Sequence, residues 1–184
     1  TEPLSYYYRT GPVGRVFDAY EGTGLTKRVG IVGLGAGSIA CYAEPGERFT
    51  FFDIDPEIKR IAEDPRYFSY LRHCRGQYDI ILGDGRLALQ QVPDGTFGIL
   101  VLDVFSSDAI PIHFLTREAM ALYLEKTQDE GIILFHISNR YMDLEPLLGT
   151  LADEMRLVAY VMDDSAGSER ELGKFSSRYV VIAR

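Results

Sequence analysis

The chain is 184 residues long, 46% hydrophobic and 25% charged, a balance that fits one domain able to bury roughly 70% of the surface its unfolded form exposes. Lys and Arg number 19 against 27 Asp and Glu, a formal charge of −8 that argues against nucleic acid as the main partner and would attract a cationic substrate. No apolar run approaches the roughly 20 residues needed to cross a bilayer, and the opening TEPLSYYYRTG has neither the basic nor the apolar region of a signal peptide, so no membrane insertion of this chain is expected.

Residues 1–20 read as a lead-in segment, aromatic and glycine-rich, with Gly11, Pro12 and Gly14 marking turns; it is expected to pack on a sheet or over a ligand. Residues 21–184 read as the domain proper. Apolar, β-branched runs at 28–32, 48–53, 78–82, 98–103, 131–137, 157–162 and 179–183 predict strands. Helical patterns fall between them at 37–43, 56–62, 84–91, 116–126 and 144–155. Pro56 after Asp55 and Thr116 before Glu118 have the chemistry of helix starts. Strands spaced by helices imply a parallel sheet covered on both faces. The last two strands have only a polar loop between them, which predicts an antiparallel hairpin at one edge. The expectation is thus an α/β, Rossmann-like, mostly parallel sheet of seven strands. Cys41 and Cys74 lack metal-ligand spacing and are expected to be buried structural thiols in a reducing compartment; no metal site is predicted.

The chemistry gathers at the carboxyl ends of the strands. Gly33, Gly35 and Gly37 follow the first strand as G-x-G-x-G, where missing Cβ atoms allow a tight turn and close approach of a ligand. Asp53 ends the second strand, where a carboxylate can accept ribose hydroxyls, and Asp55 reads as a helix cap. NAD and S-adenosyl ligands both suit such a unit, but Ser38 stands where the dinucleotide fingerprint has its third glycine, and no basic side chain lies in the loop to meet a pyrophosphate. Asp84, beside Gly85, ends the third strand, where it can accept an adenine amine, cap the next helix, or do both. Asp103 ends the fourth strand, and Asp108 follows in SSDAIP, either a site acid or a turn former. His136, Ser138 and Asn139 stand at the end of the fifth strand, where hydrogen bonds to a substrate or to the 104–115 loop are expected, although a lone His is more often structural. Of Tyr6, Tyr7 and Tyr8, at least two are expected in the core or in contacts between domains.

The segments GLGAGS, FFDIDPEI, LGDGRLAL and LDVFSSDAIPIHFLT together resemble the polyamine aminopropyltransferases, spermidine synthase and its relatives, over about residues 6–155. The resemblance implies the seven-stranded methyltransferase fold and a reaction in which the aminopropyl group of decarboxylated S-adenosylmethionine moves to a diamine such as putrescine, releasing methylthioadenosine. It further implies that Gly33, Gly35 and Gly37 form the cofactor cradle, that Asp53 meets the ribose and Asp84 with Gly85 the adenine, and that Asp103 is the acid–base residue with Asp108 assisting. It implies a cytoplasmic domain, free or attached to a membrane protein, and leaves a homodimer open. Residues 103–111 depart from the family's Asp-Ser-Ser-Asp-Pro, with two extra residues between the acids. Two further readings therefore stay open: a methyltransferase using S-adenosylmethionine, and a non-catalytic nucleoside-binding regulatory domain.

Overall fold

The computed structural model describes residues 2–104, 110–138, 142–164 and 173–184. Its strands are β1 (Arg28–Val32), β2 (Arg48–Asp53), β3 (Gln77–Leu82), β4 (Phe97–Leu102), β5 (Thr127–His136), β6 (Val158–Asp163) and β7 (Arg178–Ala183). They form one sheet in the order β3-β2-β1-β4-β5-β7-β6. β1 to β5 pair in parallel, and β7 runs antiparallel to both β5 and β6, so the expected hairpin lies at the sheet edge with β7 on its inner side.

The helices are α1 (Pro12–Tyr20), α2 (Pro56–Glu63), α3 (Gly85–Gln90), α4 (Arg117–Lys126) and α5 (Glu145–Met155). Three of the four later ones start on the predicted caps. Asp55 accepts from the Glu57 amide, Asp84 from the amides of Arg86 and Leu87, and Thr116 from that of Ala119. Each satisfies donors that the first helical turn leaves without partners.

Strand parity divides the core. Val29 and Ile31, Phe49 and Phe51, Ile99 and Val101, Ile132 and Leu134 face a layer that holds α1 and α2. Phe52, Leu100 and Leu102, Ile133 and Phe135 face the layer of α3, α4 and α5. Both faces of the central strands are dry, which explains why their sequences are continuous apolar runs rather than alternating ones.

Three expectations need correction. Pro12 and Gly14 do not mark turns: Pro12 supplies the first residue of α1, where a missing N–H costs nothing, and Val13, Val16 and Phe17 are buried against the sheet. The predicted helix at 37–43 is a 3₁₀ turn, Ser38–Tyr42. It starts from the left-handed Gly37 (φ 77°), and the Leu71 side chain packs where a Cβ would stand. β5 starts at Thr127, not Gly131, because its first residue pairs with Phe97 and the polar residues that follow are carried in a register shift before Ile132 meets Ile99.

Phe17 is 6% exposed and stacks on Tyr42 (ring centroids 4.6 Å apart) and Phe49 (5.7 Å). Phe17→Ala should cost about 3–5 kcal/mol, read as a lower urea midpoint at unchanged slope. A loss below about 1 kcal/mol would contradict the docking of α1 as part of the core.

Candidate functional site

The register brings a row of residues to the carboxyl rim. Val32 pairs with both Phe52 and Leu102, and Leu102 pairs with Phe135, so the next residues Asp53, Gly33, Asp103 and His136 stand side by side across β2, β1, β4 and β5. Tyr179 on β7 pairs with His136 and extends the row. By parity these side chains point to the α1 side of the sheet.

A cavity of about 610 Å³ opens on this rim. Gly33, Gly35, Asp53, Asp55, Asp84, Gly85 and Asp103 line it, with Tyr7, His113 and the apolar side chains of Val32, Phe52, Ile54, Ile58, Pro111 and Phe114. Among the described lining residues, four are carboxylates and none is Lys or Arg. Gly37 is not in the lining, and Asp108 and Asn139 lie outside the described residues.

Gly33 is required by crowding. It sits at φ 103°, and a Cβ there would stand 2.1 Å from the Asp103 carbonyl oxygen. Asp53 ties the loop down: one carboxylate oxygen accepts from the Leu34 amide (2.8 Å) and the other from that of Asp55 (2.9 Å). Asp84 places both of its capping bonds on one oxygen, 3.0 Å each, which leaves the second oxygen toward the cavity with His113 Nε2 3.9 Å away. The two roles foreseen for Asp84 are therefore compatible in space.

Asp103 is more enclosed than Asp84, whose side chain is 34% exposed. Its side chain is 8% exposed, and each oxygen meets a partner: the Tyr7 hydroxyl donates to one at 2.5 Å, and His136 Nδ1 lies 2.7 Å from the other. Residues 4–10 deliver Tyr7 to this point. The Tyr42 hydroxyl donates to the Tyr7 carbonyl (2.5 Å), the Ser5 amide donates to Gly173 (2.6 Å), and Lys174 reaches Thr10 and Asp164.

Tyr7 and His136 were the two partners of Asp103 that reading the sequence did not assign. For His136 a signal exists. The runs GILVLD (98–103) and GIILFH (131–136) have the same length and pattern, and aligning their glycines sets Asp103 beside His136. For Tyr7 no local pattern helps, because its position depends on a segment that crosses the rim.

No family model matches the chain. The fold is the Rossmann-like, seven-stranded one that spermidine synthases and methyltransferases share, and the domain is similar to spermidine synthases in sequence and in structure. A polyamine aminopropyltransferase of Vibrio vulnificus is 28% identical over 113 residues, covering 59% of this chain and 36% of that protein. The crystal structure of a probable spermidine synthase from Corynebacterium glutamicum superposes with a TM-score of 0.66 at 20% identity, over 92% of this chain and 60% of that one. Human methyltransferase-like protein 13, solved in complex with SAH, gives a TM-score of 0.61 at 18% identity, over 85% of this chain and 71% of that one. The chain thus spans about a third of the curated relative it matches.

Burial, and then the nearby Asp103 charge, hold the Tyr7 and Tyr179 phenols well above their ordinary value of 10.0. Burial also pushes the Cys41 thiol up to about 11. A phenol whose folded value is raised retains its proton in the native state after the unfolded chain has lost it. Its contribution to stability is complete below pH 10 and is lost as pH rises from there through the folded value. Unfolding free energy should therefore fall above pH 10 by up to about 1.4 kcal/mol per pH unit for each such group. Tyr7→Phe should flatten that slope, measured by urea denaturation at stepped pH; an unchanged slope would contradict the burial of this phenol against Asp103.

Proposed function

We propose that this domain is an aminopropyltransferase that moves the aminopropyl group of decarboxylated S-adenosylmethionine to a diamine such as putrescine. The observation that carries the reading is the cavity wall: four carboxylates and no described Lys or Arg, with the enclosed Asp103 at the head of the central strand. Such a wall attracts cations, and its described residues offer no Lys or Arg to the carboxylate that ordinary S-adenosylmethionine carries.

In this reading the backbone at Gly33 and Gly35 cradles the ligand while Gly37 shapes the turn behind it, Asp53 accepts ribose hydroxyls on lone pairs its two amide bonds leave over, and Asp84 with Gly85 receives the adenine amine on the free oxygen. The diamine arrives with its nitrogens protonated, as their basicity resembles that of Lys. Asp103 attracts one ammonium, orients it and takes its proton. The freed nitrogen lone pair then attacks the aminopropyl carbon bonded to sulfur. A C–N bond forms as the C–S bond breaks, and the bonding pair leaves with sulfur as neutral methylthioadenosine. Tyr7 holds the oxygen of Asp103 that it bonds, and Asp108 would bind the distant ammonium. Placing nitrogen, carbon and sulfur in line supplies much of the rate.

A methyltransferase would share Asp53 and Asp84, and the likeness to a human methyltransferase fold keeps it as the second reading. It would need a site for the methionine carboxylate, and the described lining contains no Lys or Arg for one. A cytoplasmic location is part of the proposal; among the described residues no helix is long and apolar enough to cross a membrane.

The test pairs two substitutions. Asp103→Asn keeps the shape but removes the charge and the proton acceptor; turnover should fall about 10²–10⁴-fold while methylthioadenosine affinity stays near that of the parent. Asp53→Ala should weaken methylthioadenosine binding about tenfold to a hundredfold in calorimetry. Full activity in Asp103→Asn would overturn the acid–base assignment, and unchanged binding in a folded Asp53→Ala would overturn the nucleoside site. A parent that binds methylthioadenosine but transfers to no diamine would leave the regulatory reading.

A further inference from the structure

We infer that His136 is a positioning residue, fixed in its Nδ1–H tautomer by a chain of donors that starts at the Arg178 amide and ends on Asp103. The inference rests on the reading of Asp103 as the carboxylate of the reacting centre.

The chain follows from what each group can donate. An ionised carboxylate only accepts, so the imidazole nitrogen 2.7 Å from Asp103 carries the hydrogen. A neutral imidazole with its proton on Nδ1 has a lone pair on Nε2, and Ser138 Oγ lies 2.8 Å from that nitrogen. The same Oγ accepts the Arg178 backbone N–H at 2.8 Å, so the serine hydroxyl can direct its own hydrogen to Nε2. The order is Arg178 N–H to Ser138, Ser138 O–H to His136, His136 Nδ1–H to Asp103, with the Tyr7 hydroxyl arriving on the other oxygen. The first donor belongs to β7, whose pairing with β5 and β6 fixes it, so the direction of the chain is set by the backbone.

The ring cannot turn away from this arrangement. His136 is 3% exposed and stacks on Tyr179, with centroids 4.4 Å apart and planes 7° from parallel. It is not among the described lining of the cavity, whereas Asp103 is, so it acts through Asp103. Two fixed donors hold the carboxylate plane, which leaves its remaining lone pairs aimed in one direction. A nucleophile positioned by that carboxylate needs its alignment kept to within a fraction of an ångström, because misplacement by about 1 Å can cost on the order of a hundredfold in rate.

The experiment is carried out on the whole chain with ¹⁵N-labelled histidine, of which there are three. A two-bond nitrogen–proton spectrum, assigned by the signal that disappears in His136→Asn, should show His136 as the Nδ1–H tautomer. An Nε2–H or doubly protonated ring at His136 would overturn the inference. The kinetic arm compares His136→Phe, which keeps the stacked ring but loses both nitrogens, with His136→Asn, whose amide can place an N–H near the Nδ1 position. His136→Phe should lose about 10–10²-fold in kcat with methylthioadenosine affinity within about threefold of the parent, and His136→Asn should recover at least about tenfold of that loss. Parental kcat in His136→Phe, or an Asn variant no better than Phe, would also overturn it. If the parent transfers nothing to any diamine, the proposed function fails while the tautomer spectrum still decides this inference; if His136→Phe does not fold, the parent spectrum and the Asn variant decide it.

Discussion

A carboxylate enclosed at the head of a central strand has to be met by donors, because an unpaired buried charge costs several kcal/mol. Asp103 sets that requirement, and much of the local architecture answers it. The parallel register of β4 and β5 places His136 next to it, the antiparallel register of β7 brings Tyr179 under the imidazole, and the crossing of residues 4–10 brings Tyr7 to the second oxygen. Gly33 allows the Asp103 carbonyl to approach within a distance that any side chain would forbid. A carboxylate that is held by two donors and still borders the cavity is organised to meet a third partner from the cavity side.

The rest of the rim has the same sign. Asp53 spends one lone pair on each oxygen to fix the glycine loop, and Asp84 spends one oxygen on capping α3, so both acids do structural work and retain acceptor capacity toward the cavity. The apolar walls from Ile54, Ile58 and Phe114 suit the flat face of a base, and the acids are distributed around them. A ligand with an apolar ring, hydroxyls and a positive charge satisfies every part of this surface.

Much of the fold was legible because dry central strands leave continuous apolar runs and helix caps leave side-chain signatures. β1 and β2 begin and end where the pattern says, and Asp55, Asp84 and Thr116 cap the helices they precede. The failures have physical causes. α1 was hidden because Pro12 and Gly14 read as turn residues although the first is a sound helix start, and the beginning of β5 was hidden because its polar residues sit in a register shift. The rim acids were legible as strand ends, but whether a particular His or Tyr joins them depends on register and on a crossing segment. His136 could have been found by aligning GILVLD with GIILFH; Tyr7, within three consecutive tyrosines, could not.

The central claim is that the rim is built for a cation and against a carboxylate. Calorimetric titration of the chain with decarboxylated S-adenosylmethionine and with ordinary S-adenosylmethionine, under identical salt and pH, tests it most directly. The account predicts that the decarboxylated ligand binds at least about tenfold more tightly, a difference of about 1.4 kcal/mol or more. Equal affinities, or tighter binding of ordinary S-adenosylmethionine, would contradict it.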